Sequence, residues 1–169
     1  GNGRALLPSV DGYENYVDHV SRFVKDEKAK ELYYNHVKNI VIRTNTVTGK
    51  PYTEDPTIFS WQIGNEPRAF ARDSVTKAAF ADWMCTSASL IKSLDPNHMV
   101  SSGSEGLYGC EVDMDLFEKI HAHEDFDYLN VHIWPLVWRW VTKDTFADSV
   151  CVANRETEKY LTAHFPVAE

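Results

Sequence analysis

The strongest chemical feature of this 169-residue chain is a glutamate set between asparagine and proline, Asn65-Glu66-Pro67. Pro67 has no backbone N–H, so it helps to end an extended ladder at Glu66. A carboxyl buried beside a second carboxylate has its pKa raised and stays protonated near neutrality. A protonated carboxyl in that setting can donate to a departing glycosidic oxygen. Asn65 beside it can hydrogen-bond a sugar hydroxyl. In isolation the tripeptide would suit a helix cap or a surface loop better. The run Ile58-Phe59-Ser60-Trp61-Gln62-Ile63-Gly64 before it, and Arg68 after it, reverse that preference.

Other residues compete for chemical roles. Glu105, in Ser104-Glu105-Gly106, is the other carboxylate at the end of an extended segment; it suits lining a cleft or holding Arg68 or Arg72. Trp138 and Trp140 follow Pro135 on a loop, where aromatic faces stack against pyranose rings or simply anchor the loop. His121 and His123 lack a third ligand at recognisable spacing, so no metal is expected. Gly103-x-x-Gly106 lacks the Lys-Ser/Thr ending of a phosphate loop, and no cofactor is indicated.

These residues need elements to carry them. Leu32, His36, Val37, Ile40 and Val41 recur at helical spacing and predict a helix from about Lys25 to Arg43. Thr57 to Ile63 reads as a strand, and Ser74 to about Leu94 as a helix with Ala79, Phe80, Trp83, Met84, Ala88 and Ile91 on its apolar side. Met99 to Ser102 is a short strand, Met114 to His121 a helix, Phe126 to Trp134 a strand, and Thr145 to about His164 a final helix. Gly1, Gly3, Pro8 and Gly12 interrupt any period, so residues 1–20 read as loop and short turns. Alternating helices and near-continuous apolar strands indicate a parallel α/β architecture. In such folds ligands bind at the C-terminal ends of the strands. Asn65-Glu66, Ser104-Glu105 and His132-x-Trp134 all sit at such ends.

Composition narrows the partners. A formal net charge of −8 with no basic tract argues against a nucleic acid or an anionic membrane surface, and a neutral ligand fits better. No apolar run is long enough for a membrane span. Cys85, Cys110 and Cys151 form no Cys-x-x-Cys pair, which leaves one disulfide or three free thiols equally open.

Trp61-Gln62-Ile63-Gly64-Asn65-Glu66-Pro67-Arg68 resembles the fourth strand of glycoside hydrolase family 5, in its endo-β-1,4-mannanase branch. Ser101-Ser102-Gly103-Ser104-Glu105-Gly106 resembles that branch's fifth strand, and Asp127 to Pro135 its sixth. The resemblance runs from about residue 8 to 165. It implies a (β/α)8 barrel, of which the chain would be a partial segment within one catalytic domain spanning 1–169. It also implies retaining cleavage of β-1,4-mannosidic bonds in mannan or manno-oligosaccharides, outside the cell or in a periplasm. By the same resemblance Glu66 is the acid/base, and His132 borders the catalytic pair, orienting a carboxylate or contacting substrate. Trp134 stands where many family members carry Tyr, which points to packing beneath a sugar ring. The family's nucleophile belongs to a seventh strand that this chain is not expected to reach, so the chain made alone is expected to be inactive. A cellulase or exo-mannosidase of the same family shares Asn-Glu and is the alternative; a non-catalytic glycan-binding module, usually a β-sandwich, fits the helices less well.

Overall fold

The computed structural model describes residues 12–168, so the loop expected over residues 1–11 lies outside them. Helices α1 (Tyr13–Arg22) and α2 (Glu27–Val41) precede β1 (Ser60–Gln62), α3 (Ser74–Leu94), β2 (Met99–Ser101), α4 (Met114–His121) and α5 (Phe146–His164). Aspartates start three of the helices. Asp26 accepts from Lys28 and Ala29, Asp73 from Thr76, and Asp113 from Leu116, each satisfying backbone N–H groups that a first turn leaves unpaired.

The segment 13–22 is helix and not the loop its neighbouring glycines suggest. Gly12 stands outside the first turn as its cap, and Val17 and the following Val24 turn inward to near-complete burial. On α2 the inward face is also rotated from the expected one. Val37 and Val41 are buried with Tyr33 and Tyr34 against them, while Leu32 is 64% exposed.

The core lies under α3. Phe80, Trp83, Met84, Ala88 and Ile91 pack between Val37 and Val41 of α2, Leu116, Phe117 and Ile120 of α4, and Val100 of β2. Trp83 meets Phe23 and Tyr33 edge-on, with ring centroids 5.2 Å away in each case. Asp95, fully buried where α3 ends, accepts from the Trp61 indole at 2.8 Å and bonds the His98 ring at 2.7 Å, pinning the helix to β1.

β1 and β2 are parallel, with Ser60, Trp61 and Gln62 opposite Met99, Val100 and Ser101. The strand expected over Phe126–Trp134 is not formed as a backbone ladder. Side chains replace its rungs: the Val100 N–H goes to the Asp127 carboxylate at 2.7 Å, and the Gly103 N–H to the Asn130 amide oxygen at 3.0 Å. Asn130 returns a bond to the Ser104 carbonyl at 2.9 Å. Two backbone bonds remain, Asp127 N–H to Val100 and His132 N–H to Glu105. Four of these five bonds join residues 27 positions apart, so the segment runs parallel to β2 in register. The chain therefore presents three parallel extended segments, each delivering its polar end to one side.

Candidate active site

Where β1 ends, the Ile63 N–H bonds Ser101 and the Glu66 N–H bonds Gly103, at 3.2 and 2.9 Å. Glu66 itself takes φ 52°, in the left-handed region that costs an L-residue about 1–2 kcal/mol. Gly103 makes the crossing feasible. Its φ is +73°, and a Cβ there would stand 1.8 Å from the Gly64 carbonyl oxygen, so no other residue fits. The strand ends are thus threaded past each other at the point where Glu66 turns out.

The Glu66 carboxylate faces two donors on the third segment. His132 Nδ1 lies 2.8 Å from Oε1, and the Trp134 indole N–H donates to the same oxygen at 3.0 Å. An ionised carboxylate only accepts, so the His132 proton sits on Nδ1. Both donors favour the charged form. The His132 bond, opposed by some burial and supported by the Trp134 bond and by Arg68, holds Glu66 below the ordinary carboxylate range. This corrects the expectation of a raised pKa. The raising influence was to be a neighbouring carboxylate, and the carboxylate that shares this cleft is already neutralised.

That carboxylate is Glu105. Arg68 grips its Oε2 through Nε at 2.6 Å and Nη2 at 2.5 Å, with the Glu105 side chain only 7% exposed. Arg72, the other candidate partner, pairs with Glu14 instead. A cleft of about 540 Å³ is lined by Asn65, Glu66, Glu105, His132, Ile133, Trp134 and Val137. Asn65, Glu66, Glu105, His132 and Trp134, all singled out in the sequence, therefore meet in one place.

Trp138 does not line that cleft. It packs into an aromatic cluster with Tyr108, Trp140 and Tyr160, at centroid distances of 4.5, 5.0 and 5.2 Å. Its neighbour Val137, 71% exposed, lines the cleft instead. His121 turns inward: its ring bonds the Phe117 carbonyl and the Ser102 hydroxyl, both at 2.8 Å, while His123 lies near Asp125. Cys85, Cys110 and Cys151 are free thiols, and burial pushes Cys110 up to about 12.

Sequence reasoning passed over Asn130 and Tyr160, which support the strand ends without entering the cleft. Asn130 carries a signal, an amide in the middle of an apolar run. Tyr160 carries none, since a tyrosine on a helix face is ordinary core material.

A model of the family described as GH family 5 beta-mannosidase-like matches residues 3–169. Mannan endo-1,4-beta-mannosidase 1 of Arabidopsis thaliana is 32% identical over 177 residues, covering 87% of this chain and 43% of that protein. Mannan endo-1,4-beta-mannosidase 1 of rice (Oryza sativa subsp. japonica) is 40% identical over 122 residues, covering 63% of this chain and 28% of its own. The chain thus spans less than half the length of these relatives. Among solved structures, a family 5 mannosidase of Rhizomucor miehei, in complex with mannosyl-fructose, superposes with TM-score 0.74 at 30% identity. The match covers 96% of this chain and 37% of that one. An endo-1,4-beta-mannanase of the same organism gives 0.63 at 28% identity, over 75% and 40%. The three parallel segments are accordingly part of a (β/α)8 barrel, with Glu66, Glu105 and His132 at the C-terminal ends of its strands. With the family model matching almost end to end and the strand-end geometry in place, the chain belongs to glycoside hydrolase family 5, in its beta-mannosidase-like group.

Proposed function

We propose that this chain carries the acid/base side of the active site of a retaining, endo-acting β-1,4-mannanase. The observation that supports it is the Glu66 carboxylate at the end of β1, held by His132 and Trp134 with Asn65 beside it in one cleft. In retaining hydrolysis one carboxyl group protonates the leaving glycosidic oxygen as the C–O bond breaks. A second, about 5–5.5 Å away, attacks the anomeric carbon; water then releases the sugar with the first group acting as base. Glu66 fits the first role. Glu105 is committed to Arg68, so the attacking carboxylate is assigned to a part of the barrel outside these residues, and residues 1–169 made alone are inactive in this reading. A second negative charge at that distance also supplies what Glu66 lacks here, the repulsion that lifts its pKa toward neutrality.

Asn65 donates to a sugar hydroxyl, and the half-exposed Trp134 offers its ring face to a pyranose while its N–H stays on Glu66. The relatives' names support mannan over glucan, and a polymeric substrate supports action outside the cell or in a periplasm. Among the described residues no helix is long and apolar enough to cross a membrane.

The test is Glu66→Gln in the complete enzyme, assayed by reducing-sugar release from mannan and from carboxymethylcellulose. Mannan hydrolysis should fall by roughly 10²–10⁴-fold, with a smaller loss in the glycosylation step on activated aryl mannosides that need little protonation. Equal losses on both substrates in that step would assign Glu66 a structural role. Preference for carboxymethylcellulose would move the assignment to a cellulase.

A further inference from the structure

We propose that Tyr160 and His164, on the last turns of α5, are positioning residues: they clamp the loop 105–108 and through it hold Glu105 and His132 in register with Glu66. The inference rests on the reading of Glu66 as the acid/base and extends it to a helix that does not enter the cleft.

The clamp is made of hydrogen bonds to backbone. The Tyr160 hydroxyl donates to the Glu105 carbonyl at 2.7 Å and accepts from the Tyr108 N–H at 3.2 Å. His164 Nε2 accepts from the Leu107 N–H at 2.8 Å. Its Nδ1–H donates to the Tyr160 carbonyl at 2.6 Å, which fixes the tautomer that leaves Nε2 free to accept. Two side chains thus satisfy three backbone groups of one four-residue loop that lies more than fifty positions earlier in the chain. Both side chains are buried, and burial pushes the Tyr160 hydroxyl up to about 12, so it stays a donor.

Gly106 gives independent evidence of how closely α5 and the loop are fitted. At φ +93° a Cβ would stand 2.6 Å from His164 Nε2 and 2.8 Å from the Tyr160 oxygen. The clamp reaches the cleft by a short route. The Glu105 carbonyl that receives Tyr160 also receives the His132 N–H, and the His132 ring holds Glu66. The Glu105 side chain, on the same residue, lines the cleft and holds Arg68. Releasing the carbonyl therefore loosens two cleft groups at once, without removing any atom that touches substrate.

The experiment uses Tyr160→Phe, His164→Leu and His164→Gln in the complete enzyme, with Glu66→Gln in parallel. Each variant is measured for kcat and KM on manno-oligosaccharides, for its pH–rate profile, and for thermal unfolding, with kinetics taken well below Tm. Tyr160→Phe and His164→Leu should each lower kcat by roughly ten- to a hundredfold, the scale of a 1 Å misplacement, with KM changed much less. They should also displace the limb of the pH–rate profile that reports Glu66. His164→Gln keeps an acceptor for Leu107 and should recover most of the loss. If Tyr160→Phe does not fold, the two His164 variants carry the comparison. Lowered Tm with kcat, KM and the pH profile unchanged would overturn the proposal and leave a purely structural clamp. Should Glu66→Gln remain active, the acid/base assignment falls and the positioning role with it. Loss in Glu66→Gln alone removes only the clamp.

Discussion

At Glu66, which lines the cleft, two donors converge on Oε1, so Oε2 is the oxygen that would carry a transferable proton. Both bonds stabilise the anion, so their removal acts in one direction. Trp134→Phe keeps an aromatic face and deletes the N–H, and should move the Glu66 pKa upward. Carbon-13 NMR titration of glutamate-labelled protein reads this directly, and a downward shift would contradict the bond's assigned effect. The same variant separates two roles of Trp134. If the ring is also a sugar platform, Phe should retain much of the affinity for oligosaccharides while the pH–rate profile moves.

Two elements show how the site is carried. The third extended segment is joined by the Asp127 side chain to β2 and by the Asn130 side chain to the turn after it, beside two backbone bonds, and its register depends on them. Asn130→Leu leaves the Gly103 N–H and the Ser104 carbonyl without their partner, which should cost about 1–3 kcal/mol per group left unpaired. Denaturant unfolding should show a lower midpoint, and Asn130→Asp, which keeps the acceptor for Gly103, should lose less. The loop after this segment gives the other case. Trp138 is half-buried among Tyr108, Trp140 and Tyr160, so Trp138→Ala should act mainly on stability. A loss of roughly 2–3 kcal/mol is expected, below the ~3–5 kcal/mol of a fully buried Trp. A raised KM with unchanged Tm would restore Trp138 as a sugar platform.

For the whole molecule, buried histidines set the response to acid. Loss of hydration on burial lowers His121 to about 4, against the bond to the Phe117 carbonyl, and lowers His164 as well, whose Nε2 must also stay bare to accept from the Leu107 N–H. An unfolded histidine protonates near 6.5. Between about pH 6.5 and 4 the unfolded chain therefore binds more protons than the folded one, and stability falls as the pH drops through that window. Asp95, Asp113 and Asp127, lowered by their hydrogen bonds and ion pairs, lose their contribution only below the ordinary aspartate range. Glu111 works in the opposite direction, since burial raises its pKa and protonation favours the fold. Thermal unfolding from pH 7 to 4 should show Tm falling, at roughly 2–4 °C per kcal/mol lost. His121→Gln should flatten that fall, and an undiminished slope would show that His121 does not carry it.

Local residue patterns were enough to establish α3 and α4, the short strand at Met99, and the side of the sheet where Asn65, Glu66, Glu105, His132 and Trp134 gather. Apolar spacing, aspartate caps and strand-ending Gly and Pro are properties of neighbours in sequence, and they act over a few residues. The helix at Tyr13–Arg22 was hidden because glycines outside it looked like breakers within it. What only the tertiary structure decided involves partners tens of residues apart. The lowered pKa of Glu66 depends on His132 and Trp134, and the neutralisation of Glu105 on Arg68. The broken backbone ladder depends on Asp127 reaching β2 and Asn130 the turn after it, and the place of Trp138 on aromatic rings from the β2–α4 loop and α5. A residue type shows that a group can accept, donate or stack; the group that occupies it is set by distances that exist only once the chain has folded.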